Sequence, residues 1–468
     1  MAINDIFNKK LKVINTGIES FKENIEQAGA EAIHIDWKPP VDIDPKVWEI
    51  INSKEEIIND ANEKALEIIL NGKPNLVGMD LAKNVIPGMK SNLILHSGPP
   101  IKWERMCGPT RGAIIGALIY EGMANTPEEA EKLAASDKIE YAPCHEHNTV
   151  GPMAGIVSAS MPVFIIKNEE YGNTAFCTQN EGLGKVLRYG AFSEEVIVRL
   201  KWMDDVMYPI LKKAIESLKK IDLKNIIAQA LHMGDEVHNR NRAGTSLFYR
   251  TIAPAIIKTS DDKQNMADVL DFINGNDHFF LNLSMPAAKA TLDAAKNIPN
   301  SSVVIALSRN GTDFGVRLAG TEEKWFVGKA PLPDALFFPG FTKEDANPDI
   351  GDSSITETVG LGGFAIASSP AIVQFVGGTA KDAVNYTLAM YEISVGENNI
   401  YQIPYLNFRG TPTGIDVRKV ISKSLTPFID TGVAHKEPGV GQVGAGVLSA
   451  PMEPFKNAII GFAEELKK

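Results

Sequence analysis

The sequence predicts an α/β fold in three parts, and three observations carry that expectation. A β–turn–α–β pattern opens the chain. Helical periodicity dominates its middle, and short strands separated by glycine turns fill its last third. The expected division is a Rossmann-like N-terminal unit over 1–100, a mainly helical middle domain over 101–300, and a C-terminal α/β domain with Gly-rich turns over 301–468.

In order, Lys12–Asn15 is a short β-like run ending in Gly17, and Ile18, Phe21 and Ile25 recur at helical spacing. Ala32–Asp36 then reads as a second strand, and Pro39-Pro40 closes the unit. No GxGxxG accompanies it, so a structural βαβ or a docking surface for another α/β subunit is favoured over a dinucleotide site. Pro45–Leu70 reads as a helix with a solvated Glu/Lys face, and Leu93–His96 as a strand entering Ser97-Gly98-Pro99-Pro100. After Pro109 a helix runs through the almost uncharged Ala113–Tyr120, which marks it as buried. Thr126-Pro127 starts another, with threonine as cap and proline at the first position. Glu194–Val206, Tyr208–Lys220 and Leu223–His232 make the middle helical. Val303–Leu307 and Phe314–Leu318 read as strands, Ala380–Val395 as a helix behind a glycine turn, and Pro454–Leu466 as a closing amphipathic helix.

Composition narrows the classes. Apolar residues make up 44% and charged residues 22%, values typical of soluble globular proteins. The balance of 47 basic against 58 acidic residues leaves −11, which argues against nucleic acid and anionic membranes as partners. Small anions must then be held by local cations and backbone amides. Three scattered cysteines, Cys107, Cys144 and Cys177, fit a reducing compartment. The start MAINDIFNKKLKV has no signal-peptide core and no apolar run reaches a membrane span, so a cytoplasmic location is expected.

Two histidine-bearing blocks are candidates for chemistry. In Cys144-His145-Glu146-His147-Asn148, His145 and His147 lie two apart and face one side of an extended segment. They are candidates for proton transfer, or with Cys144 for a divalent metal, although the spacing matches no recognised zinc pattern and a further ligand must come from elsewhere. Gly151–Gly155 follows, read as opening a helix whose free N–H groups suit an anion. In Gly234–Ser246, a helical reading puts Asp235, His238 and Arg242 on one stripe: an acid to orient an imidazole, and a guanidinium to clamp a carboxylate or phosphate. Glycine turns with hydroxyl or basic neighbours supply candidate anion cradles. These are Arg309, Gly311 and Thr312; Gly377, Gly378 and Thr379; and Arg409 with Gly410 and Thr411. The turn Gly439–Gly446 follows His435. A solvated helix end or an ordinary loop remains the alternative for each block. No GxxxxGK[ST], GxSxG, HExxH or CxxC pattern occurs, which removes P-loop hydrolysis, serine hydrolase, zincin and dithiol redox readings.

Taken as a set, KVINTGIESF…IDWKPP, CHEHNTVGPMAG, GDEVHNRNRAGT, RNGTDFG, GDSSITETVG, RGTPTGIDVRKV and DTGVAHKEPGVGQVGAG resemble the YlbE/YahG-like family, in order from about residue 10 to 460. Its best-assigned member is the AllG subunit of a multi-subunit oxamate carbamoyltransferase. The resemblance implies a partner resembling FdrA, a third subunit, and phosphorolysis of oxalurate to oxamate and carbamoyl phosphate in allantoin breakdown. It transfers no catalytic residue. That chemistry requires clamps for two anions, donors for a developing oxyanion, and an acid for the leaving nitrogen. The S-T-R-T-R motif of ordinary transcarbamoylases is absent, with Arg111 in Pro109-Thr110-Arg111-Gly112 a partial echo, so a carbamoyl-phosphate site is built differently or belongs to a partner. A non-catalytic scaffold and a stand-alone metal-dependent amidohydrolase are the competing expectations, and a homo-oligomer is compatible with all three. No cofactor is specified beyond the possible divalent metal.

Overall fold

The computed structural model describes residues 10–16, 18, 20–35, 40–372 and 378–468. Helices and sheets interleave along the whole chain, giving an α/β fold. Gly17, Asp36, Pro39 and Gly377 lie outside the described residues.

The opening unit forms as read. Lys12–Thr16 pairs in parallel with Glu31–Ile35, joined by the helix Ser20–Gln27. Parallel pairing recurs only between Leu93–His96 and Glu140–Pro143 among the described strands. The larger sheets are antiparallel. Pro74–Leu81 lies between Pro162–Asn168 and Ile221–Asp222, with Thr174–Thr178 outside. Val304–Asn310 lies between Asp313–Leu318 and Ile350–Gly351. Phe428–Ala434 pairs with Gln442–Ser449.

Strand pairing and core packing cross the expected borders at 100 and 300. Pro74–Leu81 is completed by strands almost a hundred residues later, so the N-terminal segment does not stand apart as a Rossmann-like domain. The middle region also supplies Pro162–Asn168 and Thr174–Thr178 to that sheet. The two principal apolar cores cross both borders. One joins Leu76, Phe164, Met207, Phe248 and Ile305, and the other joins Ile58, Val304, Val420 and Phe462. Burial at distant sheet faces is a tertiary property, and linear composition does not encode it.

Local chemistry explains the elements that positioned well. Thr126 accepts from Glu129 N and caps Pro127–Ala134. Gly108–Tyr120 is buried through most of its length, as its uncharged sequence requires. The helix expected over Pro45–Leu70 is two, Pro45–Ser53 and Glu55–Asn71, broken at Lys54 where Glu55 and Glu56 begin a new first turn. The helix from Ala380 ends at Met390, after which the chain turns into Ser394–Ile403. No described helix is long and apolar enough to cross a membrane.

Between the two cores runs Gly351–Phe364, a segment of small residues buried throughout. Ile355, Val359 and Leu361 belong to one core and Phe364 to the other. Its polar side chains therefore occupy a seam at the centre of the molecule.

Candidate active site

The block around His238 is not the helical stripe the sequence suggested. The helix Leu223–His232 ends at a turn with Gly234 at φ 94°, and the next helix starts only at Arg242. Between them the chain loops, with Val237 at φ 67°. A β-branched residue rarely adopts that conformation, so surrounding contacts must enforce it. They do: the Glu236 carboxylate accepts the backbone N–H groups of His238 and Arg240, and Val237 N–H donates to Arg240 O at 3.1 Å. Asp235 does not orient His238. Its carboxylate accepts Gly244 N–H at 2.9 Å at the start of the following helix and lies 3.5 Å from Arg240 Nε. Burial pushes its carboxyl up to about 7.

This loop drives His238 inward against two acids from distant segments. His238 Nδ1 lies 2.7 Å from Glu357 Oε1 and 3.0 Å from Asp430 Oδ1. All three residues are buried, and each offers a ligating atom within 4.8 Å of the others. Glu357 is held by Thr356 Oγ1 at 3.0 Å and by the N–H groups of Gly363 at 3.1 Å and Asp430 at 3.2 Å. Gly362 permits the approach: at φ 56° a Cβ there would sit 2.2 Å from Glu357 Oε1. Desolvation favours the neutral imidazole, but Glu357 and Asp430 outweigh it and raise His238 to about 10. Burial raises Asp430 to about 6. Burial and then Asp430 push Glu236 well above the carboxylate range.

The outer side of the same loop borders a cavity of about 180 Å³. Asn239, Arg240, Asn241 and Arg242 line it together with Asp277, His278, Phe338 and Gln442. Arg242 is mostly exposed and lies 3.7 Å from Asp277. Burial, then Arg188 and His238, lower His278 to about 3, so its ring is neutral. Chemically, the wall combines two guanidiniums and two amides on an acid-rich interior, a set suited to a small anion with a carbonyl group.

The Cys144 block is built differently from its expectation. Cys144–His147 is a 3-10 turn, not an extended segment, and this splays its side chains. Cys144 Sγ donates to Gly155 O, and His147 Nδ1 lies 2.6 Å from Pro87 O. His145 is fully buried, 3.6 Å from Asp352 and edge-on to Trp325, with neither ring nitrogen hydrogen-bonded. These three residues do not converge on a common ligand position. Gly151–Gly155 opens no helix. Gly151 N–H is already taken by Asp352, which also accepts Gly98 N–H and the Ser308 hydroxyl.

Most of the expected anion clamps serve the fold. Arg309 is wholly buried and donates to Asp349, Gly351 O and Thr431. Arg409 is exposed, paired with Glu397 and stacked on Tyr391. Arg111 stacks on Trp103 and donates to the carbonyls of Trp103 and Glu104. Gly311 packs on Cys107 and Asn347, and Thr312 donates to Arg105 O. Thr379 closes a capping box with Asp382 on the surface beside exposed Gly378. His435 accepts from Glu437 N–H and packs edge-on to Phe341. The reason is common to all: their partners are supplied by segments remote in sequence or by their own turn.

Glu357, Asp430 and Arg240 were not singled out from the sequence. A signal did exist for two of them. Glu357 is the sole charged residue between Asp352 and Lys381, and Asp430 the sole one between Lys423 and His435. A lone acid in a long uncharged run is either buried with a partner or costly.

Comparison with known proteins bears on this site. Over 464 residues, 98% of both chains, the sequence is 45% identical to a protein of Escherichia coli K12 called uncharacterized protein YahG. Over 409 residues it is 42% identical to the oxamate carbamoyltransferase subunit AllG of the same organism, covering 87% of this chain and 98% of that one. The chain belongs to the YahG/AllG family. The family model described as oxamate carbamoyltransferase subunit AllG matches residues 139–353. That span holds the His238 loop and His278, whereas Glu357 and Asp430 lie beyond it. A crystal structure of a conserved protein of unknown function from Enterococcus faecalis V583 superposes with a TM-score of 0.87 at 47% identity, covering 88% of this chain and 99% of that chain.

Proposed function

We propose that this chain is a subunit of an oxamate carbamoyltransferase-like complex that phosphorolyses oxalurate to oxamate and carbamoyl phosphate in ureide catabolism. One observation carries the reading: the cavity lined by Asn239, Arg240, Asn241 and Arg242, the residues that directly follow buried His238 in the loop, in a chain 42% identical to a protein named as such a subunit. In this reaction a phosphate oxygen bonds to the carbamoyl carbon, the C–N bond to the oxamate nitrogen breaks, and that nitrogen gains a proton. Two anions must meet at one carbonyl. Arg240 and Arg242 supply cations for them, and the amides of Asn239 and Asn241 supply donors for the developing oxyanion. His238 Nδ1 faces the two acids, which leaves Nε2 as the ring atom for proton transfer. An FdrA-like partner and a third subunit complete the proposed assembly.

The test is carbamoyl phosphate release from oxalurate and phosphate, by the chain alone and reconstituted with those partners. Arg240→Ala and His238→Ala each lower kcat/KM of the complex by about 10²-fold or more. Full activity in both variants sinks the catalytic version. It would favour a non-catalytic scaffold, for which the N-terminal unit is the relevant surface: Ile14, Ile18, Phe21 and Ile33 are all more than half exposed there.

A further inference from the structure

We infer that His238, Glu357 and Asp430 form a binding site for one first-row divalent cation with nitrogen and oxygen ligands, Mn²⁺ or Zn²⁺. The inference concerns the cluster itself and does not depend on the carbamoyl-transfer reading.

The geometry is that of a ligand set. Ligands about 2.1 Å from a common ion lie about 3.0–3.4 Å apart at octahedral or tetrahedral edges. His238 Nδ1 is 2.7 Å from Glu357 Oε1 and 3.0 Å from Asp430 Oδ1, so a small outward shift of the donors reaches that spacing. The donors come from three separate segments, each held in place by its own contacts and joined by the Asp430 N–H bond to Glu357. The Glu236 carboxylate fixes the His238 backbone, Thr356 and Gly363 hold Glu357, and a strand carries Asp430.

A second observation points to a missing ligand. Asp430 is fully buried, and apart from the 3.0 Å contact of Oδ1 with His238 Nδ1 its carboxylate oxygens have no hydrogen-bond partner. His238 cannot serve both acids, because Nδ1 carries at most one proton and Glu357 is its nearer acceptor. Arg309, next in space to Thr431, is committed to Asp349. A buried carboxylate without donors is costly, and an ion is one of the few groups able to satisfy it. A bound dication would draw on Nδ1 and one oxygen from each acid, leaving His238 Nε2–H facing away from the ion.

The test uses the full chain, stripped with chelator and titrated calorimetrically with Mn²⁺ or Zn²⁺, with bound metal counted after dialysis. One equivalent binds, and the melting temperature rises with it. Asp430→Asn and Glu357→Gln weaken affinity by about 100-fold or more, while Cys144→Ser and His147→Ala leave it unchanged. The Co²⁺-loaded chain shows d–d bands without thiolate charge transfer. Asp430→Ser is a second variant should the amide disturb folding, monitored by circular dichroism. Absence of saturable binding by the wild-type chain overturns the inference, as does equal binding by the Asp430 and Glu357 variants. Metal is counted without substrate, so a chain that binds it yet supports no carbamoyl phosphate release refutes only the functional reading.

Discussion

Replacing Arg309 by methionine distinguishes a structural guanidinium from a substrate clamp. Arg309 donates to Asp349 from Nε at 2.6 Å and Nη2 at 3.1 Å, to Gly351 O at 2.7 Å and to Thr431 Oγ1 at 3.1 Å. Methionine fills much of the volume but removes every donor. Asp349, 1% exposed, is then left with Ile350 N–H and the Thr431 hydroxyl. Removing one partner of a buried ion pair costs about 3–5 kcal/mol, a large share of the 5–15 kcal/mol that typically separates native from unfolded protein. Urea unfolding followed by fluorescence and circular dichroism reads this as a lower midpoint. The double variant Arg309→Met/Asp349→Leu recovers most of the loss, because no buried charge then lacks a partner. A single-variant loss below about 1 kcal/mol refutes the structural assignment. So does unchanged stability combined with a raised KM in the reconstituted complex, which would return Arg309 to the substrate.

Two further outcomes follow from the same interior. Lys289, 1% exposed and 2.7 Å from Asp293, has its ammonium lowered to about 8 by burial, against 10.5 unfolded. The unfolded chain therefore binds more protons between these values, so this group makes stability rise from about pH 8 to 10.5, and its destabilising effect is constant below 8, where both states are protonated. The stability difference between wild type and Lys289→Met should shift by a few kcal/mol across that window; an equal pH slope in both proteins removes the argument. Gly362→Ala places a methyl group 2.2 Å from Glu357 Oε1 at φ 56°, whereas Gly122→Ala, at φ 70°, meets nothing within 4 Å. Gly122→Ala should cost about 1 kcal/mol of backbone strain, and Gly362→Ala clearly more with disturbed metal binding; equal melting temperatures would show that the seam yields freely.

Local features were legible because their causes are local. The Thr126 cap, the uncharged helix Gly108–Tyr120 and the opening βαβ unit each depend on neighbours within a few residues. The Asp235–His238–Arg242 stripe failed because helical spacing was assumed where a strained Val237 and the Glu236 carboxylate hold a loop. His238 was visible as a candidate, but its partners were not. Glu357 lies 119 residues away, and only the crossing of two cores brings it within 2.7 Å.

The sequence by itself determined the α/β class, the family resemblance and the positions of the histidine and glycine blocks. Each is written in short-range pattern and residue type. Tertiary structure alone decided which polar groups serve the fold and which face a cavity. Burial sets the chemistry of a charged group through its desolvation and its partners. Arg309 and Arg240 are both arginines in polar, glycine-containing surroundings. One is buried on Asp349, and the other lines a cavity. That difference comes from the pairing of distant strands, which no local pattern records.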